Sequence, residues 1–306
     1  MNNNILNHLF SKDGAFWFLY YLINATPFKK CVPDKWYLTI QYRCFCGKFI
    51  NWKNPKTFNE KLQWLKVYNR KPEYTMMVDK VKVKDYVAQK IGEQYVIPTL
   101  GVWDKPEDID FDALPNQFVL KCNHDSGSIC ICRDKKTFDK SKAVSKLKAA
   151  MKRDMYWDGR EWPYKNVEKK VFAEKYMVDE SGIELKDYKF FCFGGVPTYC
   201  QVISDRNTDE KIDFFDMQWG RLVGLVGLND SVQNSEQDIP CPDSFSEMKL
   251  LAAKLANKLP FSRIDFYEIN HRPYFGEITF FPADALGSFR PVDWNDRMGD
   301  MITLNV

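Results

Sequence analysis

Arg263 and Asp265 stand two apart in FSRIDFYEI, and Glu277 and Thr279 stand two apart in RPYFGEIT. In extended chain alternate residues share a face, so each pair lies on one side of its strand. Asn270 and His271 mark a turn between the two runs, and a hairpin there can set Asp265 opposite Glu277. Two carboxylates held close repel unless something positive lies between them. Mg²⁺ takes a few carboxylate oxygens and completes its shell with waters and substrate phosphates, so this pair has the chemistry of a phosphate-bound Mg²⁺ site. Arg263 alongside could stabilise transferring phosphoryl oxygens or a developing oxyanion. A solvated hairpin face would show the same alternation, but apolar Ile278, Phe280 and Phe281 follow Glu277 and weigh towards a site.

Other residues add to this. Lys121 sits inside the apolar run FVLKC, where a lysine is costly unless paired. The turn-formers NHDSGS follow, with Gly127 between Ser126 and Ser128. Such a flexible loop can close over a triphosphate and offer backbone N–H groups to its oxygens. No GxxxxGK[ST] occurs, so this is not a Walker A loop, and a plain hairpin with a surface lysine is the competing reading. Glu174 ends the apolar part of KVFAEKYM, where a strand leading into a linker can set a carboxylate and backbone groups against an adenine edge. A solvated Glu–Lys pair is the alternative. Asp187 and Lys189 share a strand face and could bind ribose hydroxyls and a phosphate, or form an ion pair worth little. Arg160, Trp162 and Tyr164 in REWPY, with Arg206, could hold an acidic sugar or an amino acid through a bidentate guanidinium and a stacking ring. A capped surface turn around a core tryptophan reads as well.

These side chains need elements to carry them. Residues 1–74 read as a mostly helical region. Within it Phe58, Leu62, Leu65 and Tyr68 fall at helical spacing, and Thr57 with Glu60 forms a capping-box signature. The spacing predicts one helix over 78–91 ended by Gly92, then a short strand at 95–100 with Pro98 at its end. Strands follow at 118–122 and 129–133, and a lysine-rich helix at 140–155. Next come strands at 170–177, 188–193, 197–203 and 212–216, with Gly194-Gly195 as a hairpin turn. A helix at 246–259 precedes the hairpin of 262–268 and 272–279. The order predicts an α+β protein with two sheets.

Composition sets outer limits. With 44 Lys and Arg against 41 Asp and Glu in 306 residues, the net charge of +3 argues against a dedicated nucleic-acid binder. The nine cysteines include CxC pairs at Cys44/Cys46 and Cys130/Cys132, which lack zinc-knuckle spacing, and only three His accompany them. They read as reduced, mostly buried thiols of a cytoplasmic protein. The apolar run at 15–23 is too short to span a bilayer. A buried core helix is the preferred reading. A peripheral position at the inner face of the membrane is the alternative, since Lys29 and Lys30 follow.

The order of these pieces resembles the ATP-grasp superfamily, and the later part resembles D-alanine–D-alanine ligase. Val78-Asp79-Lys80 is similar to that family's Met-Asp-Lys, which implies that Lys80 reaches the triphosphate. FVLK resembles the strand whose lysine binds the α- and β-phosphates, implying Lys121, and NHDSGS stands where the family has its phosphate-covering loop. AEKYM resembles the adenine hinge, implying Glu174, Lys175 and Met177, and Asp187 falls at the acidic ribose ligand. RID and GEIT resemble RID and LEAN, implying Arg263 as the transition-state arginine and Asp265 and Glu277 as metal ligands. Thr279 replaces the usual Asn of the metal shell. The family's leading βαβ lobe is not visible in 1–74.

From about residue 50 the chain resembles the TupA-like branch, linked to teichuronopeptide biosynthesis, through NPKTFNEKLQWLK, IPTLGVWD, FVLKCNHDSG, GREWPYKN, AEKY, DYKFFCF and FGEITFFP. The resemblance implies an ATP-grasp domain over 75–306, with 117–175 as a small lid lobe and ATP between two antiparallel sheets. It implies ATP and Mg²⁺ as cofactors. It also implies amide formation between an amino acid or small amine and a uronic-acid carboxylate. That carboxylate would belong to a cell-surface polysaccharide or its precursor, whether nucleotide-linked, lipid-linked or polymeric. Members are often labelled glycosyltransferases. That chemistry would want a DxD motif, and Asp108-Ile109-Asp110 has the spacing but lies in a polar connector. A binding module with a degenerate site fits less well, because Lys80, Lys121, Asp265 and Glu277 are intact.

Overall fold

The computed structural model describes residue 8 and residues 11–179, 185–204 and 209–304. The leading part holds the helices Gly14–Asn24 and Asp34–Cys46. The helix Phe58–Tyr68 begins on the expected capping box: the Glu60 N–H donates to the Thr57 hydroxyl at 3.2 Å, and the Thr57 N–H donates back to the Glu60 carboxylate at 3.2 Å. It buries Phe58, Leu62 and Leu65 in the largest core, each worth about 1.5–3 kcal/mol of transfer free energy. The Phe58 ring meets Phe261 edge-on at 4.9 Å, so this helix belongs to the main body rather than to a separate leading region.

The single helix expected over 78–91 does not form. Helix Glu73–Val78 stops, and helix Val83–Ile91 starts afresh. The break is made by Asp79, whose carboxylate accepts the N–H groups of Val81 and Lys82 at 2.9 and 3.2 Å. A short acidic side chain competes with the helical ladder in this way. The strand expected at 95–100 also shifts: a 3₁₀ turn, Glu93–Tyr95, comes first, and β1 (Thr99–Trp103) starts only after Pro98, which has no N–H to give a ladder. β2 (Phe118–Cys122) and β3 (Cys130–Cys132) form the expected hairpin. The helix expected over 140–155 ends at Met151. A second one, Met155–Gly159, is opened by Asp154, which accepts the Trp157 N–H.

β4 (Val171–Lys175) completes a four-stranded antiparallel sheet of order β1-β4-β2-β3. β1 thus joins this sheet from upstream of residue 117. Helix Lys140–Met151 lays Ala143, Leu147 and Ala150 on its core. The larger sheet has β5 (Asp187–Phe193), β6 (Val196–Ser204), β7 (Lys211–Phe215), β9 (Phe261–Ile269) and β10 (Arg272–Thr279) in the order β10-β9-β5-β6-β7. β8 (Val226–Gly227) pairs with β11 (Phe289–Arg290) apart from it. Gly194 and Gly195 turn β5 into β6 with φ of 58° and 86°, which suits the left-handed turn that matches strand twist. A Cβ on Gly195 would stand 2.5 Å from the Lys258 nitrogen.

Helix Gly14–Asn24 is a core helix on one face only. Trp17 and Ile23 are buried, while Phe18, Leu19 and Leu22 are 59%, 40% and 49% exposed. Among the described residues no helix is long and apolar enough to cross a membrane. The nine cysteines are free thiols, mostly buried.

Candidate active site

β9 is the spine of the site. Its Asp265 lies in register with Lys189 of β5 on one side and with Glu277 of β10 on the other, and its Arg263 faces Thr279. A bulge at Gly276 sets this register. A Cβ on Gly276 would press within 3.0 Å of the Asp265 carbonyl, so a larger residue there would disturb the row. The hairpin thus brings the two carboxylates opposite each other, as the sequence predicts.

The row is knitted by charge-assisted bonds. Arg263 donates to both Asp265 oxygens at 2.8 and 2.7 Å, and to Glu277 and Thr279 at 3.1 Å each. Lys189 donates to Asp265 at 2.6 Å and stands 3.5 Å from Asp187. Burial alone would raise the Glu277 carboxyl, but Lys80, Arg263 and Lys189 outweigh it and hold it at about 2. Burial pulls the other way on Arg263, where Asp265 and Glu277 keep the guanidinium firmly charged.

The facing wall comes from the smaller sheet. Glu174 on β4 is buried and bridges two lysines, Lys121 at 2.6 Å and Lys84 at 2.7 Å. The solvated Glu–Lys pair is therefore corrected: the Glu174 carboxylate turns inward to the lysines. Burial would raise that carboxyl, yet Lys121 and Lys84 hold it below its ordinary value. Lys121 gains the partner that its apolar strand requires.

Lys84 escaped sequence reasoning. It is one of two lysines on helix Val83–Ile91, with Lys80 and Lys82 just before it, and only the fold singles it out.

Lys80 ties the walls together from the Asp79 break. Its N–H donates to the Asn123 carbonyl at 3.0 Å, its ammonium donates to the Asp125 carbonyl at 2.8 Å, and Glu277 lies 3.6 Å away. The loop it holds is more anchored than its composition suggests. Asn123, His124, Asp125 and Ser128 are buried, and the Ser128 hydroxyl donates to Asp125 at 2.6 Å while accepting the Cys122 N–H at 2.9 Å. Only the tip, Ser126 and Gly127, is exposed, with Gly127 at φ 91°.

Between the walls lies a hollow of about 350 Å³ lined by Lys80, Lys84, Lys121, Lys189, Asp265 and Glu277, with the 125–128 loop over it. A smaller one of about 190 Å³ shares Lys121, Glu174, Asp187 and Tyr267 with it and continues along Val119, Ile131, Lys175, Met177 and Val178. One end of the cleft is therefore cationic and the other largely apolar. The arrangement suits an elongated ligand with several negative charges at one end and a flat apolar group at the other. Among the described residues no group of three His, Cys, Asp or Glu could hold a metal unaided. Asp265 and Glu277 could share a cation with phosphate oxygens.

The expected substrate residues fare differently. Arg160 is wholly buried, 3.3 Å from Asp34, stacked over Tyr37 and Trp157, and donating to the Lys29 carbonyl. It knits the leading helices to the body and presents no face to a substrate. Trp162 opens a 3₁₀ turn packed on helix Glu73–Val78. Arg206 lies outside the described residues. The DxD spacing also finds an explanation: Asp110 accepts the N–H groups of Asp112 and Ala113 in its own turn.

The family model described as TupA-like ATPgrasp matches residues 60–303. The chain belongs to the TupA-like ATP-grasp family. The two antiparallel sheets with the cleft between them are the ATP-grasp architecture of this family member. Among solved structures, the chain is similar to D-alanine--D-alanine ligase from Bacillus anthracis complexed with ATP at 19% identity and TM-score 0.41, covering 74% of this chain and 63% of that one. It is similar to L-amino acid ligase from Bacillus licheniformis at 13% identity and TM-score 0.41, covering 74% of this chain and 50% of that one. A third is the ATP-grasp ligase PsnB complexed with minimal precursor, at 10% identity and TM-score 0.41, covering 91% and 71%. The chain thus spans less than two thirds of the first two. No curated protein matches the sequence.

Proposed function

We propose that this protein is an ATP-dependent carboxylate–amine ligase that forms an amide through an acyl phosphate. The observation that carries the reading is the register row Lys189–Asp265–Glu277 with Arg263, faced across one hollow by Lys80, Lys84 and Lys121. Lys80, Lys121 and the Ser126–Gly127–Ser128 tip would hold the triphosphate, Asp187 and Lys189 the ribose and a phosphate, and the stretch Glu174, Lys175 and Met177 the adenine. Asp265 and Glu277, with Thr279 at their edge, would hold Mg²⁺, which supplies charge neutralisation for phosphoryl transfer. The chemistry then needs no protein nucleophile. A substrate carboxylate oxygen attacks the γ-phosphorus and the bond to ADP breaks. An amine nitrogen attacks the acyl carbon, and phosphate leaves. Arg263 donates to the developing oxyanion, and the loop keeps water from the acyl phosphate.

The carboxylate we assign is a uronic acid of a cell-surface polysaccharide or its precursor, on the likeness to the TupA branch. The exposed apolar face of helix Gly14–Asn24, continued by Phe28 and edged by Lys12 and Lys30, supports a position on an anionic membrane surface. The test is incubation with ATP, Mg²⁺, a UDP-uronic acid or uronate oligosaccharide, and a panel of amino acids. ADP with an amide product is expected. UDP release without ATP use would mean glycosyl transfer and would overturn the reading.

A further inference from the structure

A third hollow, about 490 Å³, opens beside the loop that follows the metal-binding hairpin. Gln41, Asp158, Glu161 and Asp284 line it, with Phe45 and Leu286 as apolar walls. Asp284 is held in a strained backbone: Ala283, Asp284 and Ala285 have φ of 50°, 56° and 55°, a region that costs non-glycine residues about 1–3 kcal/mol each. Its carboxylate is satisfied, paired with the buried Lys66 and accepting from the Gln41 amide at 3.0 Å.

Glu161 is different. It is only 8% exposed, and its carboxylate has no hydrogen-bond or ion-pair partner among the described residues. The Gln41 side-chain oxygen, also buried, has none either. The Glu161 carboxylate therefore reaches only the hollow, and the Gln41 oxygen behind it is an orphaned acceptor; a ligand that brings donors and positive charge would suit both. Burial first, and Asp284 second, push the Glu161 carboxyl well above the ordinary carboxylate range. Lys66, Glu277 and Lys80 also act on it. Lys80 and Glu277 line the phosphate hollow, so the charges of that site are felt at Glu161. The turn after it, Trp162–Tyr164, packs on the helix that delivers Lys80.

We infer that this hollow is the subsite of the amine substrate, a primary ammonium, and that Glu161 takes the proton which frees the attacking nitrogen. The inference rests on the ligase reading above. The ammonium gives one proton to the Glu161 carboxylate, and its lone pair forms the C–N bond at the acyl phosphate. The bond between the acyl carbon and the phosphate oxygen then breaks, and phosphate leaves with the second nitrogen proton as hydrogen phosphate. Glu161 returns its proton to water as the product departs. Arg153 also lines the hollow and would pair with the carboxylate of an amino acid, whereas a simple amine would leave it unused.

The test exploits hydroxylamine, which is unprotonated at neutral pH and needs no base. With Mg-ATP and UDP-glucuronate, wild type should form hydroxamate from hydroxylamine, and amide from L-alanine, L-glutamate or ethanolamine. Glu161→Gln should keep hydroxamate formation within about threefold while amide formation falls by about a hundredfold or more. Equal loss of both products, or an unchanged amide rate, would overturn the assignment. No hydroxamate from wild type would instead sink the ligase reading itself. Should Glu161→Gln fail to fold, calorimetry of the wild type and of Asp158→Asn, a half-exposed rim residue, decides the question. Binding of these amines by wild type, weakened several-fold in Asp158→Asn, supports the subsite, and no binding of any of them to wild type overturns it. Preference for the amino acids over ethanolamine would identify Arg153 as the carboxylate partner.

Discussion

Glu277 shows how a residue's surroundings fix its chemistry. A carboxyl that burial alone would raise is held at about 2 by Lys80, Arg263 and Lys189, so it is ionised throughout the physiological range. A depressed carboxyl contributes stability above its unfolded pKa of about 4.3 and loses it only as pH falls towards the folded value. Glu277→Gln removes one negative charge from a row that also holds Arg263 and Lys189, so repulsion among the cations is no longer offset. Turnover is expected to vanish, and the acid-side loss of stability between about pH 4 and pH 2 should flatten. Near-normal ADP release by this variant would refute the metal-ligand assignment. Residues of this row were legible because strand alternation and turn position are local properties. Arg160 stays ambiguous in the sequence for a physical reason: an arginine among aromatic rings has the same signature whether it grips a ligand or braces a fold, and only burial against Asp34 and Tyr37 tells them apart. Lys84 was illegible because its partner, Glu174, is distant in sequence and meets it only through sheet packing.

At the scale of elements, sequence reading succeeded where one local rule dominated and failed where two competed. FVLKC and RPYFGEIT are strands with the expected limits, and the Thr57 capping box starts its helix as expected. Over 78–91 the apolar spacing favours helix, but the Asp79 side chain offers the backbone nearer partners and breaks it. That break sets the contacts of Lys80 with Asn123, Asp125 and Glu277, from which a continuous helix would turn it away. Asp79→Ala removes the competing bonds at a cost of about 1 kcal/mol, typical of a lost cap, and lets the two helices merge. ATP affinity, followed by calorimetry with a non-hydrolysable analogue, should fall about tenfold or more while the melting temperature drops only slightly. Unchanged affinity would mean that Lys80 reaches its position without the break.

For the whole molecule, the decisive feature is that separate cores face one cleft. The smaller sheet packs on Leu147 and its neighbours, and the larger sheet packs on helices Phe58–Tyr68 and Phe245–Ala256. A third core, around Trp17, Tyr37 and Leu38, holds the leading helices. That third core leaves Phe18, Leu19, Leu22 and Phe28 outside. Sequence alone could not separate a core helix from a surface one, because the run at 15–23 is apolar all round and only tertiary packing decides which face is covered. An apolar stripe edged by lysines has the pattern of an interfacial helix, whose binding adds apolar burial to attraction for anionic lipid. The protein is therefore expected to co-sediment with vesicles containing phosphatidylglycerol, and less so as salt screens the lysines. A double substitution, Phe18→Asp with Leu22→Asp, should reduce vesicle binding by at least about tenfold. It should leave ATP turnover unchanged, because neither residue lines the cleft. Wild-type protein that stays in the supernatant at low salt would refute the membrane position while leaving the ligase chemistry untouched, so the two readings stand or fall separately.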